Sequence, residues 1–432
     1  MTPAAADGTP QSMRRAGRRC RTRATDPSST RPSAVVSAFF VPAIALLVAA
    51  AGAGLAYVST GRDWLHWLAL HLALLGGVSQ LVLGAGQFFV CAFLATDPPS
   101  RRMVAGQLLA WNAGTLLVAV GVPTSTGSLV EIGGVLIGVG LVLFAASLYG
   151  MQRRSLQRAR WAVRWYQASA GCLGLGALVG VLLVRATSWS AGNLLGAHLA
   201  LNLGGWLGMA IVGTLHTFFP SLTQTRLRFP ALQGPTFLLW LLGVVQLAFG
   251  AAFGVHAAVT SGWLSLGLAA CLLATNLGAS LRAARRPLTL PAQLIALAQG
   301  FLAAGLLFAL AVALSKGPGH PLLGEERNVL AILLVAGWIG LTVSGALLHL
   351  LAVLARVRSF SRAMPAPAPV RDTAVTLAAG AGIGALAISH VRSLDALGGP
   401  ASVVVLTVLS LLSVRVLVLA VRALRSPAGA RS

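Results

Sequence analysis

Residues 198 to 220 read HLALNLGGWLGMAIVGTLHTFFP, an apolar run long enough to cross a bilayer, with a histidine near each end and glycines between. Eighteen residues separate His198 from His216. At about 3.6 residues per turn that is about five turns, so the spacing places both imidazoles on one helix face, about 27 Å apart along the axis. Asn202 and Gly205 share that face. Ionisable groups inside membranes are rare and often functional, while glycines let neighbouring helices approach closely.

The rest of the chain has the same character. Of its 432 residues, 56% are hydrophobic and 9% charged, a composition of integral membrane proteins rather than soluble ones. Apolar runs near 20 residues or longer occur at about 34–58, 63–95, 103–122, 126–150, 161–184, 190–220, 233–256, 258–281, 289–315, 328–354, 372–391 and 399–424. They predict an all-α integral membrane fold of about 12 transmembrane helices, forming a single polytopic domain over residues 34–426. Residues 1–33, rich in Arg, Pro, Ser and Thr, read as a disordered cytoplasmic tail. The first apolar run exceeds the roughly 7 to 15 residues of a signal-peptide core and reads as the first spanning helix.

Net charge is +23, carried mainly between the spans. Assigning loops to alternate sides puts 26 of the 32 cationic residues on one side and five on the other (Arg62, Arg185, Lys316, Arg327 and Arg392), with Arg415 inside the last span. The positive-inside rule then makes both termini cytoplasmic. A bias toward Ala, Gly, Arg, Leu and Val suggests a GC-rich bacterium, and hence its inner membrane. The expected partner is the lipid bilayer, with membrane-complex subunits as further candidates and no nucleic acid. In this orientation His71 and His198 share a depth, about two turns below the outer surface. His66, His256, His320 and His390 also lie toward the outer side, with His256 near the outer end of span 7; His216 and His349 sit near the cytoplasmic ends of spans 6 and 10.

A repeat runs through the chain. Gly205, Trp206, Gly208, Gly213 and Leu215 of span 6 recur 132 residues later as Gly337, Trp338, Gly340, Gly345 and Leu347 of span 10, a shared GWxGxxxxGxL frame. Span 2 gives a weaker echo at an offset of 127: His71-Leu72-Ala73-Leu74 matches His198-Leu199-Ala200-Leu201, and Gly77 and Gly86 match Gly204 and Gly213. Spans 2, 6 and 10 are four helices apart, which implies three four-helix units at about 34–152, 153–284 and 285–426. Major-facilitator transporters repeat by six helices instead.

Twelve helices in three sets of four, with histidines on spans 2, 6 and 10 and the HxxxNxxGWxGxxxxGTLxTxxP frame of span 6, resemble the haem-copper oxidase subunit I superfamily, and most of all the NnrS-like and oxidase-like membrane proteins of GC-rich bacteria. The resemblance covers residues 34 to 424 as architecture and span 6 as a motif. It implies haem or copper near the outer face: His71 as a haem ligand, and His198 with His256 as copper ligands. It implies respiratory, nitric-oxide-related or copper-related metabolism. His216 and His349, at similar depth on spans 6 and 10, could hold a haem or quinone head, although His216 aligns in the repeat with Leu348, which turns His349 about 100° away.

The chain departs from the superfamily's pattern in three places. The register partner of His198 on span 10 is Leu330, span 7 offers one histidine rather than a pair, and span 2 continues as GAGQFFV, with Gln87, Phe88 and Phe89. These departures admit a metal-free relative acting as a transporter or complex subunit, and they leave enzyme activity open. None of the nine carboxylates falls at mid-membrane, which argues against proton pumping. Gln80, Asn112, Gln246, Asn276 and Gln299 read as interhelical hydrogen-bonding groups. Trp64, Trp67, Trp161, Trp165 and Trp189 fall near predicted interfaces, as an aromatic belt does. The cysteines, Cys20, Cys91, Cys172 and Cys271, show no CxxC spacing, and the last three read as small buried apolar residues.

Overall fold

A computed structural model describes residues 32–156, 160–185, 191–359, 369–392 and 394–425. Among them are twelve helices long and apolar enough to span a membrane: α1 (Pro32–Thr60), α2 (Asp63–Leu94), α3 (Arg101–Gly121), α4 (Gly127–Arg154), α5 (Trp161–Val184), α6 (Asn193–Leu222), α7 (Pro230–Phe253), α8 (His256–Ala283), α9 (Leu290–Lys316), α10 (Arg327–Arg356), α11 (Pro369–Val391) and α12 (Ala396–Arg422). The described residues contain no strand. The chain is an all-α polytopic membrane protein.

Two boundaries differ from the sequence reading. α1 opens two residues before the expected span, at Pro32, where the missing N–H would have had no helical partner anyway; residues 1–31 lie outside the described residues. The apolar run 233–256 breaks after Phe253, because Gly254 takes a left-handed φ of +68° and caps α7. His256 therefore opens α8 instead of closing α7.

α6 is the most enclosed helix, with 67% of its most apolar window buried; α2 and α10 follow at 50%, and the rest range from 22% to 44%. The three helices that are four apart in sequence thus form the centre. Outer helices carry exposed apolar rows at helical spacing, such as Leu238, Leu242, Val245 and Phe249 on α7, which suit contact with acyl chains.

Each central helix contains a π-helical stretch: Leu72–Val78 in α2, Ala200–Gly208 in α6 and Ile332–Gly340 in α10. The last two are 132 residues apart at both ends, the offset of the GWxGxxxxGxL frame. A π turn shifts carbonyls off their usual partners, and within a bilayer no water replaces them. Side chains supplement the backbone bonds here, since the Leu74 carbonyl also takes the Ser79 N–H and that of Trp206 the Met209 N–H. Ser79 Oγ donates to the Leu74 carbonyl at 2.7 Å, and Ser169 Oγ of α5 donates to that of Trp206 at 2.7 Å. Trp111 Nε1 of α3 donates to the Leu75 carbonyl at 3.2 Å, and Trp240 Nε1 of α7 to that of Gly204 at 2.9 Å. Both tryptophans reach back 36 residues, so one device serves two helices.

Polar side chains tie the other helices together. Gln87, Gln107 and Ser147 join α2, α3 and α4, with Gln107 Nε2 donating to Ser147 Oγ at 2.8 Å. Gln80 pairs with Asn112, Ser265 donates to Gln246, and Asn276 holds both the N–H and the carbonyl of Phe229. Gln299 bonds instead to the Ile295 carbonyl of its own helix. Arg415, inside α12, lies 3.9 Å from the Asp372 carboxylate of α11, and Glu131 pairs with Arg185.

Two sequence expectations about side chains change. Trp165 is only 1% exposed, because α6 presents Gly213 to it: a Cβ there would lie 2.4 Å from the Trp165 side chain. Cys91 and Cys172 are buried as expected, but Cys271 is exposed on the outside of α8. Trp189 and Cys20 lie outside the described residues.

Candidate metal site at the paired histidines

His71 and His198 each precede the π stretch of their helix, and the packing of α2 on α6 brings their rings to 6.4 Å between centroids, with 28° between planes. Both side chains are half-buried, at the end of the bundle that carries Arg62, Arg185 and Lys316. His71 Nδ1 lies 2.9 Å from the Trp67 carbonyl. His198 Nδ1 lies 2.9 Å from the Gly176 carbonyl of α5. A carbonyl only accepts, so a hydrogen bond to it requires the hydrogen on Nδ1 and leaves Nε2 its lone pair; at His198 the Asn202 amide nitrogen also lies 3.2 Å from Nδ1. This is the arrangement of metal-binding histidines, whose second nitrogen donates to a carbonyl or carboxylate that fixes tautomer and ring orientation.

The surroundings hold both rings in place. Trp67 stacks on His71 at 4.0 Å. Asn202, one turn after His198, donates to the His198 carbonyl at 2.7 Å. α5 meets this region through glycines: a Cβ on Gly180 would come within 3.1 Å of His198 Cε1, and one on Gly176 within 2.6 Å of the Asn202 amide. Two imidazoles that share one ion, with metal–nitrogen bonds of about 2.1 Å, have centroids at most about 6.4 Å apart, so the observed separation admits one ion only with both Nε2 atoms turned toward each other in a linear arrangement.

The remaining candidates lie elsewhere. His256 is exposed at the start of α8, a helix that meets α6 chiefly along Met209–Leu222 and not at His198. His216 is fully buried, its ring stacked 5.9 Å from Trp165 and its Nδ1 bonded to the Val212 carbonyl. His349 is half-buried against Phe218, with ring centroids 5.5 Å apart. His216 thus faces α5, as His198 does, while His349 of α10 meets α6 through Phe218. His66 and His390 are both exposed. Leu330, the repeat partner of His198 on α10, is buried and apolar. Among the described residues no group of three or more His, Cys, Asp or Glu side chains could hold a metal ion, so no third such side chain joins the pair.

The sequence placed His71 and His198 at one depth but gave no sign of Trp67 or of the Gly176 carbonyl as orienting partners. The nearest signal was the pair of adjacent glycines in both helices, Gly76-Gly77 and Gly204-Gly205, which lie within the π stretches.

No protein-family model matches the chain, and no curated protein matches it.

Proposed function

We propose that this protein binds copper or haem iron through His71 and His198, near the outer face of a bacterial inner membrane, in respiratory, nitric-oxide-related or copper-related metabolism. The observation that carries the reading is the paired imidazoles, each with Nδ1 2.9 Å from a backbone carbonyl and their ring centroids 6.4 Å apart. Neutral imidazole suits copper and iron. No carboxylate or thiolate joins the pair among the described residues, which fits a soft monovalent ion or an iron whose charge a porphyrin balances. A bound copper or haem iron would supply one-electron exchange. His71 and His198 hold it; Trp67, Gly176 and Asn202 orient them. The oxidase-like and NnrS-like resemblance of span 6 agrees with this, and the positive-inside distribution puts the pair on the outer side.

The test is one preparation in mild detergent, with oxidised and reduced optical spectra beside iron and copper analysis. One metal per chain in the wild type, lost in both His71→Ala and His198→Ala while membrane insertion persists, supports the reading. Metal retained in both variants overturns it. A second reading rests on Leu330: with the third repeat position apolar, the scaffold serves as a metal-free transporter or complex subunit. Colourless, copper-free protein from haem- and copper-replete cells would favour that reading.

A further inference from the structure

Beyond the π stretches, away from the paired histidines, α2, α6 and α10 leave between them, with α1 and α5, a cavity of 80 Å³. On α6 its wall is positions 210, 211, 214, 215 and 218, and on α10 the five positions 132 residues later. The cavity therefore sits where repeat-related helix faces meet. Its lining is apolar except for three hydroxyls. Tyr166 Oη donates to Thr214 Oγ1 at 2.6 Å, and Thr214 donates in turn to the Ala210 carbonyl of its own helix. Thr342, only 5% exposed, has no partner for its Oγ1.

Size and chemistry together limit the occupant. A water occupies about 30 Å³ and needs two to four polar partners to stay in a cavity, whereas apolar cavities stay dry and take apolar guests. One free hydroxyl falls short of what a water needs. The volume holds a guest of two or three non-hydrogen atoms, well short of an acyl chain or a ring system. We infer that this cavity binds a small, uncharged, apolar molecule dissolved in the bilayer. The inference does not depend on metal at His71 and His198.

Xenon is the probe. Titrating the full chain in detergent micelles with xenon, read by its NMR shift against empty micelles, should give a saturable shift at one site per chain. Ala346→Phe on α10 and Ala85→Leu on α2 fill the cavity from different helices and should abolish it; with two such variants, failure of one to fold leaves the other as the test. Thr342→Val keeps the volume and should keep xenon affinity within about twofold. An unsaturable wild-type shift, a shift that survives both filling variants, or loss of xenon in Thr342→Val would overturn the inference.

Discussion

The hydroxyl of Ser79 accepts the indole N–H of Trp206 at 2.7 Å, and these two residues are 127 apart in the chain, the separation that also divides His71 from His198. On each helix the polar residue follows its histidine by eight positions, Ser79 directly after the α2 π stretch and Trp206 within that of α6. Ser79 also donates to the Leu74 carbonyl, so a single hydroxyl joins the α2 π stretch to α6. The register that brings the imidazoles together is thus held one to two turns deeper by a buried bond. Ser79→Ala strands the indole N–H and leaves the Leu74 carbonyl only the backbone N–H of residue 79, and should cost about 1–3 kcal/mol, the usual penalty for an unsatisfied buried group. A fall in apparent Tm, accompanied by weaker metal retention, is the expected result; unchanged values would show that packing alone sets the register.

Gly213 tests how tightly α5 and α6 close. A Cβ there meets the Trp165 side chain at 2.4 Å, and Trp165 in turn stacks on His216 inside the bundle. An indole cannot swing aside as the end of a flexible chain would, so Gly213→Ala should destabilise by about 1–3 kcal/mol through overpacking. The double variant with Trp165→Leu should recover part of that loss. Thermal unfolding of the three proteins would measure the coupling, and additive losses would show that the two residues do not meet.

The legible part of the fold was what depends on run length and composition. Twelve apolar runs gave twelve helices, since a helix must be about 20 residues long to cross a bilayer and few other structures satisfy their backbone there. What escaped depended on conformation or on pairs. Gly254 lies in the stretch AFGAAFGV and resembles any packing glycine; only its φ makes it a terminus. The π stretches leave hydropathy unchanged and so leave no trace in it. Trp165 reads as an interface residue until Gly213 is placed opposite. For the site, a shared depth and the repeat offset pointed to His71 and His198 together, but the Gly176 carbonyl that orients His198 comes from another helix and carries no side-chain signal at all.

That carbonyl yields a prediction separable from the loss of a ligand. Gly176→Ala puts a Cβ 2.6 Å from the Asn202 amide, which must turn off the His198 carbonyl or push α5 back, and either disturbs the contacts that fix His198. Orienting partners of metal ligands are worth about 10- to 100-fold in affinity. Gly176→Ala should therefore bind copper or haem more weakly by that factor while retaining both imidazoles, whereas His198→Ala should bind none. Competition titration with a chelator of known affinity distinguishes the two, and equal affinity in Gly176→Ala and wild type would remove Gly176 from the site.

The last prediction concerns the loop between α9 and α10, where the short helix His320–Leu323 packs against the start of α6, with Leu323 beside Gly196, two residues before His198. Lys316 closes the loop by donating to Glu326, and His320 Nδ1 lies 3.5 Å from the other Glu326 oxygen. The Lys316 hydrogen bond holds the Glu326 carboxyl below its ordinary range. A carboxyl whose folded value is depressed stabilises the fold above its unfolded pKa, about 4.3, and that contribution is lost as pH falls through the lower folded value. The Tm difference between wild type and Glu326→Gln should accordingly be constant from about pH 8 to 5 and shrink toward zero below about pH 4. Because Lys316 is 58% exposed, salt near 1 M should also reduce the difference. A difference that persists at low pH would mean that Glu326 acts through packing rather than charge.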